Sequence, residues 1–183
     1  VPILLVEGKQ ASEHFLKVNP QGLVPALVLP QSHHVLTQSL AIIEYLEESF
    51  TQVPLLPKDP LAKANVRALA QIIACDIHPL NNLRVLKYLK HTFSVDDEQK
   101  MKWYFHWLKL GFDAFEAALR SSGAYCFGDT PTLADVCLIP QVYNALRFDF
   151  ALDNYPHIQK IHQHCAKHAA FMKALPENQP DAP

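Results

Sequence analysis

Two stretches decide the fold when read together: Val24-Pro25-Ala26-Leu27, and Gln38-Ser39-Leu40-Ala41-Ile42-Ile43-Glu44-Tyr45-Leu46. The first sets a proline behind an apolar residue at the mouth of a short strand. Proline has no N–H to give, so the peptide groups of Val24 stay open to a ligand. An X-Pro bond is also the usual place for a cis peptide that turns the chain sharply. In the second stretch, Leu40, Ile43 and Leu46 recur at the spacing of a buried helical face. Ser39 reads as the cap of that helix, offering a hydroxyl and an N–H to a carboxylate where the helix dipole favours negative charge. Between the two, Pro30-Gln31-Ser32-His33 reads as the turn of a hairpin with strands over 27–29 and 35–37. The pair is well built to hold a small anionic peptide.

Working outward, residues 1–5 form a short apolar run that reads as a strand. Residues 12–18 fit a short helix closed by the turn Asn19-Pro20-Gln21-Gly22. The run Val53-Pro54-Leu55-Leu56-Pro57-Lys58-Asp59-Pro60 is too rich in proline for a regular helix. It reads as a linker over 53–60 between a first domain, 1–52, and a second, 61–183. The second domain reads as helix throughout. Its first long segment, 61–90, is expected to end or kink at Pro79. Met101, Phe105, Leu108, Phe112, Phe115 and Leu119 then recur at steps of four and three, a helix–helix core stripe. Asp96 and Asp97 suit the positive end of that helix. Thr132-Leu133-Ala134-Asp135 is a capping box with Asp in place of Glu or Gln. Residues 176–183 are polar and proline-rich and read as a loose tail.

The bulk properties narrow the function classes. In 183 residues a hydrophobic share of 49% supplies a substantial core. A formal charge of −2, with no cluster of Lys or Arg, argues against a nucleic-acid partner. No apolar run approaches a membrane span. Cys75, Cys126, Cys137 and Cys165 are scattered without a C-x-x-C pair, which argues against a zinc site or disulfide framework. They read as small buried apolar residues in a reducing compartment, the cytoplasm. His162, His164 and His168 step along one expected helix. His164 and His168 have metal-ligand spacing but no convincing third ligand, so they read as a solvated face, and no metal is expected.

The whole chain resembles the zeta class of the glutathione transferases. The resemblance rests on Gln10, Asn19-Pro20, the Gln38 to Glu48 segment, Leu56-Pro57-Lys58-Asp59-Pro60, and the run Ile77-His78-Pro79-Leu80-Asn81-Asn82-Leu83-Arg84-Val85-Leu86-Lys87. Thr132-Leu133-Ala134-Asp135 and Gln179-Pro180-Asp181 complete it, all in the family's order. The Gln-Ser helix start is shared by many transferase classes, whereas the Pro-Leu-x-Asn-Leu run is closer to the zeta class alone. The resemblance implies a thioredoxin-like α/β domain, here without its first strand and helix, followed by an all-helical domain. It implies a longer polypeptide, because the family's catalytic Ser-Ser-Cys run lies in that first strand–helix segment. Nothing here matches that run, and Ser121-Ser122-Gly123 falls between helices of the second domain. A sheet beginning at Val1 would also leave two strand edges open.

The resemblance further implies glutathione as cofactor. In the family the backbone at the Val24 position pairs with its cysteinyl part beside Pro25. Gln38 and Ser39 hold the γ-glutamyl carboxylate, and Gln10 reaches the glycyl end. His78, Asn82, Leu83 and Arg84 lie over the mouth of the site. Relatives often carry Gln at the His78 position, so a polar contact is expected of it, with imidazolium charge available near neutral pH. Arg84 and Arg147 are the expected anchors of a dicarboxylate substrate, since guanidinium forks hold carboxylates bidentately. The implied activity is glutathione-dependent cis–trans isomerisation of an unsaturated keto-diacid, maleylacetoacetate to fumarylacetoacetate, in aromatic amino-acid catabolism by a homodimer. Maleylpyruvate isomerisation or another zeta-class transferase activity would use the same site. A non-catalytic transferase-like interaction module is the alternative from another class.

Overall fold

The computed structural model describes residues 1–5, 7–119, 123–180 and 182. Ser121, Ser122 and Asp181 therefore lie outside the described residues. The chain divides into two compact units, Val1–Pro54 and Leu55–Ala182.

In the first unit, helix α1 spans Glu13–Leu16, and the Ser12 hydroxyl caps it by accepting from the Phe15 N–H. Strands β1 (Ala26–Val28) and β2 (Val35–Thr37) pair antiparallel, with Ala26 opposite Thr37 and Val28 opposite Val35. Helix α2 follows at Ser39–Ser49. Phe15 and Ile42 are its buried apolar anchors. The expected strand over 1–5 is not formed: these residues run irregularly into a turn, where the Lys9 N–H reaches the Leu4 carbonyl at 3.2 Å. A strand needs a neighbouring ladder, and among the described residues the sheet is β1 and β2 alone.

The second unit is helical. Helix α3 spans Pro60–Gln71, with Pro60 in the first turn and the Asp59 carboxylate accepting from the Ala62 N–H at 2.8 Å. It does not run regularly to Pro79. From Ile72 to Ile77 it widens into a π-helical segment, where the His78 N–H bonds the carbonyl five residues back, on Ile73. Helix α4 then restarts at Leu83–Thr92. Helix α5, Asp97–Ala118, opens on a capping box between Asp96 and Gln99. Its buried face is Tyr104, Leu108, Gly111, Phe112 and Phe115, rotated slightly from the expected stripe, since Met101 and Phe105 are only half-buried. Gly111 is required there: a Cβ would collide with Ile77 of the π segment.

Helix α6 spans Leu133–Leu146 and α7 spans Pro156–Cys165. Glu116 of α5 caps α7 from outside, accepting from the N–H groups of His157 (2.8 Å) and Ile158 (3.0 Å). Helix α8 is Ala169–Ala174, with His168 as its cap: its Nδ1 accepts from the Ala170 N–H. His164 and His168 therefore belong to different helices rather than to one face. The segment after α8 is not a loose tail either. Pro176–Asn178 forms a tight turn, Asn178 Nδ2 donates to the Met172 carbonyl, and Gln179 Nε2 donates to the Lys173 and Leu175 carbonyls. The amides take up carbonyls that the end of α8 leaves open.

The α6 capping box is the most buried polar feature. Asp135 is 0% exposed. Its Oδ2 accepts from the Thr132 N–H and hydroxyl, each at 2.8 Å, and its Oδ1 from the Cys126 N–H, also at 2.8 Å. One carboxylate thus fixes the start of α6 and the loop before it. Asp135→Ala removes three charge-assisted bonds, each worth about 1.5–3 kcal/mol, and strands buried donors. Urea unfolding of the variant is expected to show a loss of about 3–5 kcal/mol; a loss below about 1 kcal/mol would mean that the box is not what holds α6.

Candidate functional site

In the first unit, the register of the hairpin places the motifs of interest at one end of the ladder. Ala26 faces Thr37, so Val24-Pro25 and Gln38-Ser39 flank the same pair. The Val24–Pro25 peptide bond is cis. Val24 is 41% exposed, and no backbone partner is found for it among the described residues. The approach to this point is fixed by Asn19, which is buried. Its Nδ2 donates to the Leu23 carbonyl at 2.6 Å, and its Oδ1 accepts from the Gln21 N–H at 3.1 Å. Gly22 sits at φ +62°, and a Cβ there would lie 3.3 Å from the Gln10 carbonyl, so the turn packs directly on the Gln10 backbone.

The start of α2 differs from the expected one in a useful way. Gln38, not Ser39, occupies the cap position, at φ +69°, a conformation uncommon outside glycine. The Gln38 side chain turns away from the helix, its Nε2 donating to Gln21 Oε1 at 2.9 Å. Ser39 is the first helical residue, exposed, and its hydroxyl has no partner among the described residues. Among the described residues no side chain caps the helix, and its first turn carries no acid. Among the described residues the N–H groups of Ser39, Leu40 and Ala41 have no acceptor, which leaves a ready seat for a carboxylate. Gln10 lies in a tight turn, Lys9–Ala11, with its Oε1 buried and unpaired among the described residues. An open strand mouth, an uncapped helix start and an orphaned amide oxygen fit a short anionic peptide such as glutathione.

In the second unit, His78, Asn82, Leu83 and Arg84 gather at the break between the π segment and α4. Two rivets hold this break to α5: Asn81 Nδ2 donates to the Tyr104 carbonyl (3.0 Å), and Trp103 Nε1 donates to the Leu80 carbonyl (2.9 Å). Asn82 is the cap of α4, its Oδ1 accepting from the Arg84 N–H at 3.1 Å. That oxygen is therefore engaged by the helix. Leu83 is 39% exposed, and the exposed Arg84 guanidinium has no ion-pair partner among the described residues. His78 keeps an exposed edge, yet desolvation by the atoms packed around it lowers its pKa from the ordinary 6.5. That direction favours the neutral imidazole over the imidazolium.

Arg147 stands at the C-terminal end of α6, exposed, in a polar cluster that sequence reasoning missed. Tyr104 is almost fully buried, and desolvation pushes its hydroxyl up to about 12, opposed by Gln141 and by the charge of Arg147. The Gln141 amide and the Tyr104 hydroxyl are close enough to interact, yet neither completes a well-formed hydrogen bond. The Tyr143 hydroxyl donates to Glu177 of the C-terminal turn. That bond, backbone hydrogen bonding and then the Arg147 charge hold Glu177 below the usual carboxylate range. Arg147 thus works in a field of two tyrosines, an amide and one carboxylate. A search for polar residues on the buried face of α5 and α6 would have found Tyr104 and Gln141.

The four cysteines are free. Burial pushes the Cys165 thiol up to about 12 and the Cys137 thiol to about 11, and raises Cys126 further. None of these three is a thiolate near neutral pH. Among the described residues no group of three His, Cys, Asp or Glu side chains could hold a metal ion, and no helix is long and apolar enough to cross a membrane.

The chain matches the family models for the glutathione S-transferase N-terminal domain over residues 1–49 and C-terminal domain over residues 108–175. A probable maleylacetoacetate isomerase of Vibrio cholerae is 47% identical over 96% of this chain and 81% of its own length. Among solved structures, a holo maleyl pyruvate isomerase, described as a bacterial glutathione S-transferase of the zeta class, superposes with a TM-score of 0.94. It is 46% identical and covers 99% of this chain and 86% of its own. A maleylacetoacetate isomerase of Methylobacterium extorquens AM1, solved with malonate and glutathione bound, gives a TM-score of 0.95. It is 38% identical and covers 100% of this chain and 86% of its own. With both domain models matched in order and the likeness running through nearly the whole chain, the protein belongs to the glutathione S-transferase family, in its zeta class.

Proposed function

We propose that the protein is a glutathione-dependent cis–trans isomerase of an unsaturated keto-diacid, with maleylacetoacetate as substrate and maleylpyruvate as the alternative within the class. The observation that carries this reading is the open N-terminus of α2 beside the free Val24 backbone, a seat for an anionic peptide. When bound, glutathione supplies the thiolate whose reversible addition lowers the order of the substrate's double bond and lets it rotate.

The residues of this chain bind and orient. The Val24 peptide groups would pair with the backbone of the tripeptide beside Pro25, and Gln38 and Ser39 would hold its γ-glutamyl carboxylate. The Gln10 amide is assigned to the glycyl end. In the helical unit, neutral His78, Asn82 and Leu83 are assigned contact, and Arg84 and Arg147 the two carboxylates of a dianion. Bound malonate in the Methylobacterium extorquens relative supports a dicarboxylate as ligand. The same reading makes the protein a cytoplasmic homodimer that meets neither nucleic acid nor membrane. Four free cysteines support the reducing compartment, and the exposed Tyr88, Phe93 and Leu110 support a partner subunit.

Two variants test the division of labour in a catalytically competent protein. Ser39→Ala should weaken glutathione binding by about 1–3 kcal/mol, the range for a hydrogen bond to a charged group. Unchanged affinity by calorimetry would mean that the γ-glutamyl carboxylate sits elsewhere. Arg147→Met keeps much of the side-chain volume and removes the fork. The expected result is a fall of about ten- to a hundredfold in kcat/KM for maleylacetoacetate with glutathione affinity unchanged. An equal loss for charged and uncharged electrophiles would make Arg147 structural instead.

A further inference from the structure

The second unit carries a second polar cup that the proposed isomerase chemistry does not use. It is an open depression of about 340 Å³ lined by Gly123, Ala124, Lys160, Gln163, His164 and Lys167. The four side chains come from the exposed face of α7 and its end, at steps of three, four and seven residues from Lys160, so they project together. The opposite wall is the loop before α6, and it is held rigidly. The Ala124 N–H bonds Asp129 Oδ1 at 3.3 Å, the Tyr125 N–H bonds the Gly128 carbonyl at 3.1 Å, and the Cys126 N–H bonds buried Asp135. A Cβ on Gly123 would collide with the Gly128 carbonyl, so the wall cannot thicken at that point. The ring of Tyr125 meets His164 edge-on, centroids 4.8 Å apart, which fixes the imidazole at the rim.

Charge decides what this cup would take. Neither Lys160 nor Lys167 pairs with a carboxylate among the described residues, in contrast to Lys102 and Lys109. Asp129, the nearest acid of the wall, is turned to the Ala124 N–H. Two ammonium groups, an amide and an imidazole thus converge with no anion among the described residues paired to the lysines. Among the described residues no arginine lines the cup, and its cations are lysines alone. Lysines present point charges with three rotatable donors each, which suit a tetrahedral phosphoryl group. The volume lies within the range of small-molecule sites.

We propose that this cup binds a small phosphorylated anion, with pyrophosphate or an organic phosphate held between Lys160 and Lys167. The site is independent of glutathione and of the substrate anchors, so its failure would leave the isomerase reading untouched. The test is a titration of the protein with sodium pyrophosphate at low ionic strength, read by calorimetry and by amide chemical shifts, against sodium chloride at matched ionic strength. Saturable binding is expected, with shifts centred on Ala124, Lys160 and His164. The double variant Lys160→Gln/Lys167→Gln should weaken binding at least tenfold and leave glutathione affinity unchanged, while Lys173→Gln on α8 should have no effect. Three results would overturn the proposal: no saturable binding by the unaltered protein, equal affinity in the double variant, or an equal loss in Lys173→Gln, which would indicate diffuse surface charge. If a phosphopeptide or an oligonucleotide bound at the cup and pyrophosphate did not, the small-anion assignment would likewise fail.

Discussion

The helical unit depends on one buried carboxylate. Asp135 is closed off from solvent and accepts three hydrogen bonds, two from Thr132 and one from Cys126. A carboxylate in such a place is tolerable because every acceptor direction in use is answered by a donor, and because the positive end of α6 lies beneath it. From this anchor the chain runs both ways. Upstream it sets the loop that walls the lysine cup. Downstream it sets the phase of α6, and hence where Gln141, Tyr143 and Arg147 emerge at the far end. A few kcal/mol at one residue is a large share of a stability that totals about 5–15 kcal/mol.

In the proposed function the two units divide recognition by charge type. In the first, the proposed contacts are backbone groups: the N–H groups at the start of α2 and the peptide of Val24, without partners among the described residues, are fixed in direction and would cost no side-chain ordering when a ligand arrives. In the second, the exposed guanidinium groups of Arg84 and Arg147 are the proposed anchors of an anion, with the charge of Arg147 acting on the residues around it. Glu177 is the counterweight to Arg147, drawn in by the Tyr143 hydroxyl rather than by a direct ion pair. The C-terminal turn therefore belongs to the surroundings of Arg147.

What was legible in the sequence was whatever is encoded by local spacing. The capping box at Thr132–Asp135, the hairpin, the Gln-Ser helix start and the proline break all follow from neighbouring residues whose chemistry is read in order. The exact role of Ser39 was not legible, because whether Gln38 or Ser39 leaves the helix depends on Gln38 adopting φ +69° and reaching Gln21, seventeen positions away. Asn19 reads as an ordinary turn residue and proves, like Asn81, to be a buried strut, since their partners are backbone carbonyls that no sequence pattern marks. The tail was misjudged for a related reason: its composition is that of a disordered segment, but its amides answer the open carbonyls of α8. His168 left the expected helical face because its ring nitrogen is better used in starting the next helix.

The π-helical segment over Ile72–Ile77 has a consequence for how the molecule can vary. An ordinary α-helix advances about 100° per residue. The widened turn holds one residue more than an α-turn, so everything beyond it is out of phase with everything before it. Loss of a single residue there would restore regular helix and swing the following positions round the axis by about that angle. His78 and the start of α4 would then face a different direction, and Ile77 would leave its seat on Gly111. The segment is in effect a one-residue frame marker: substitutions within it are ordinary changes of packing, whereas a change of length would re-aim the mouth of the helical unit.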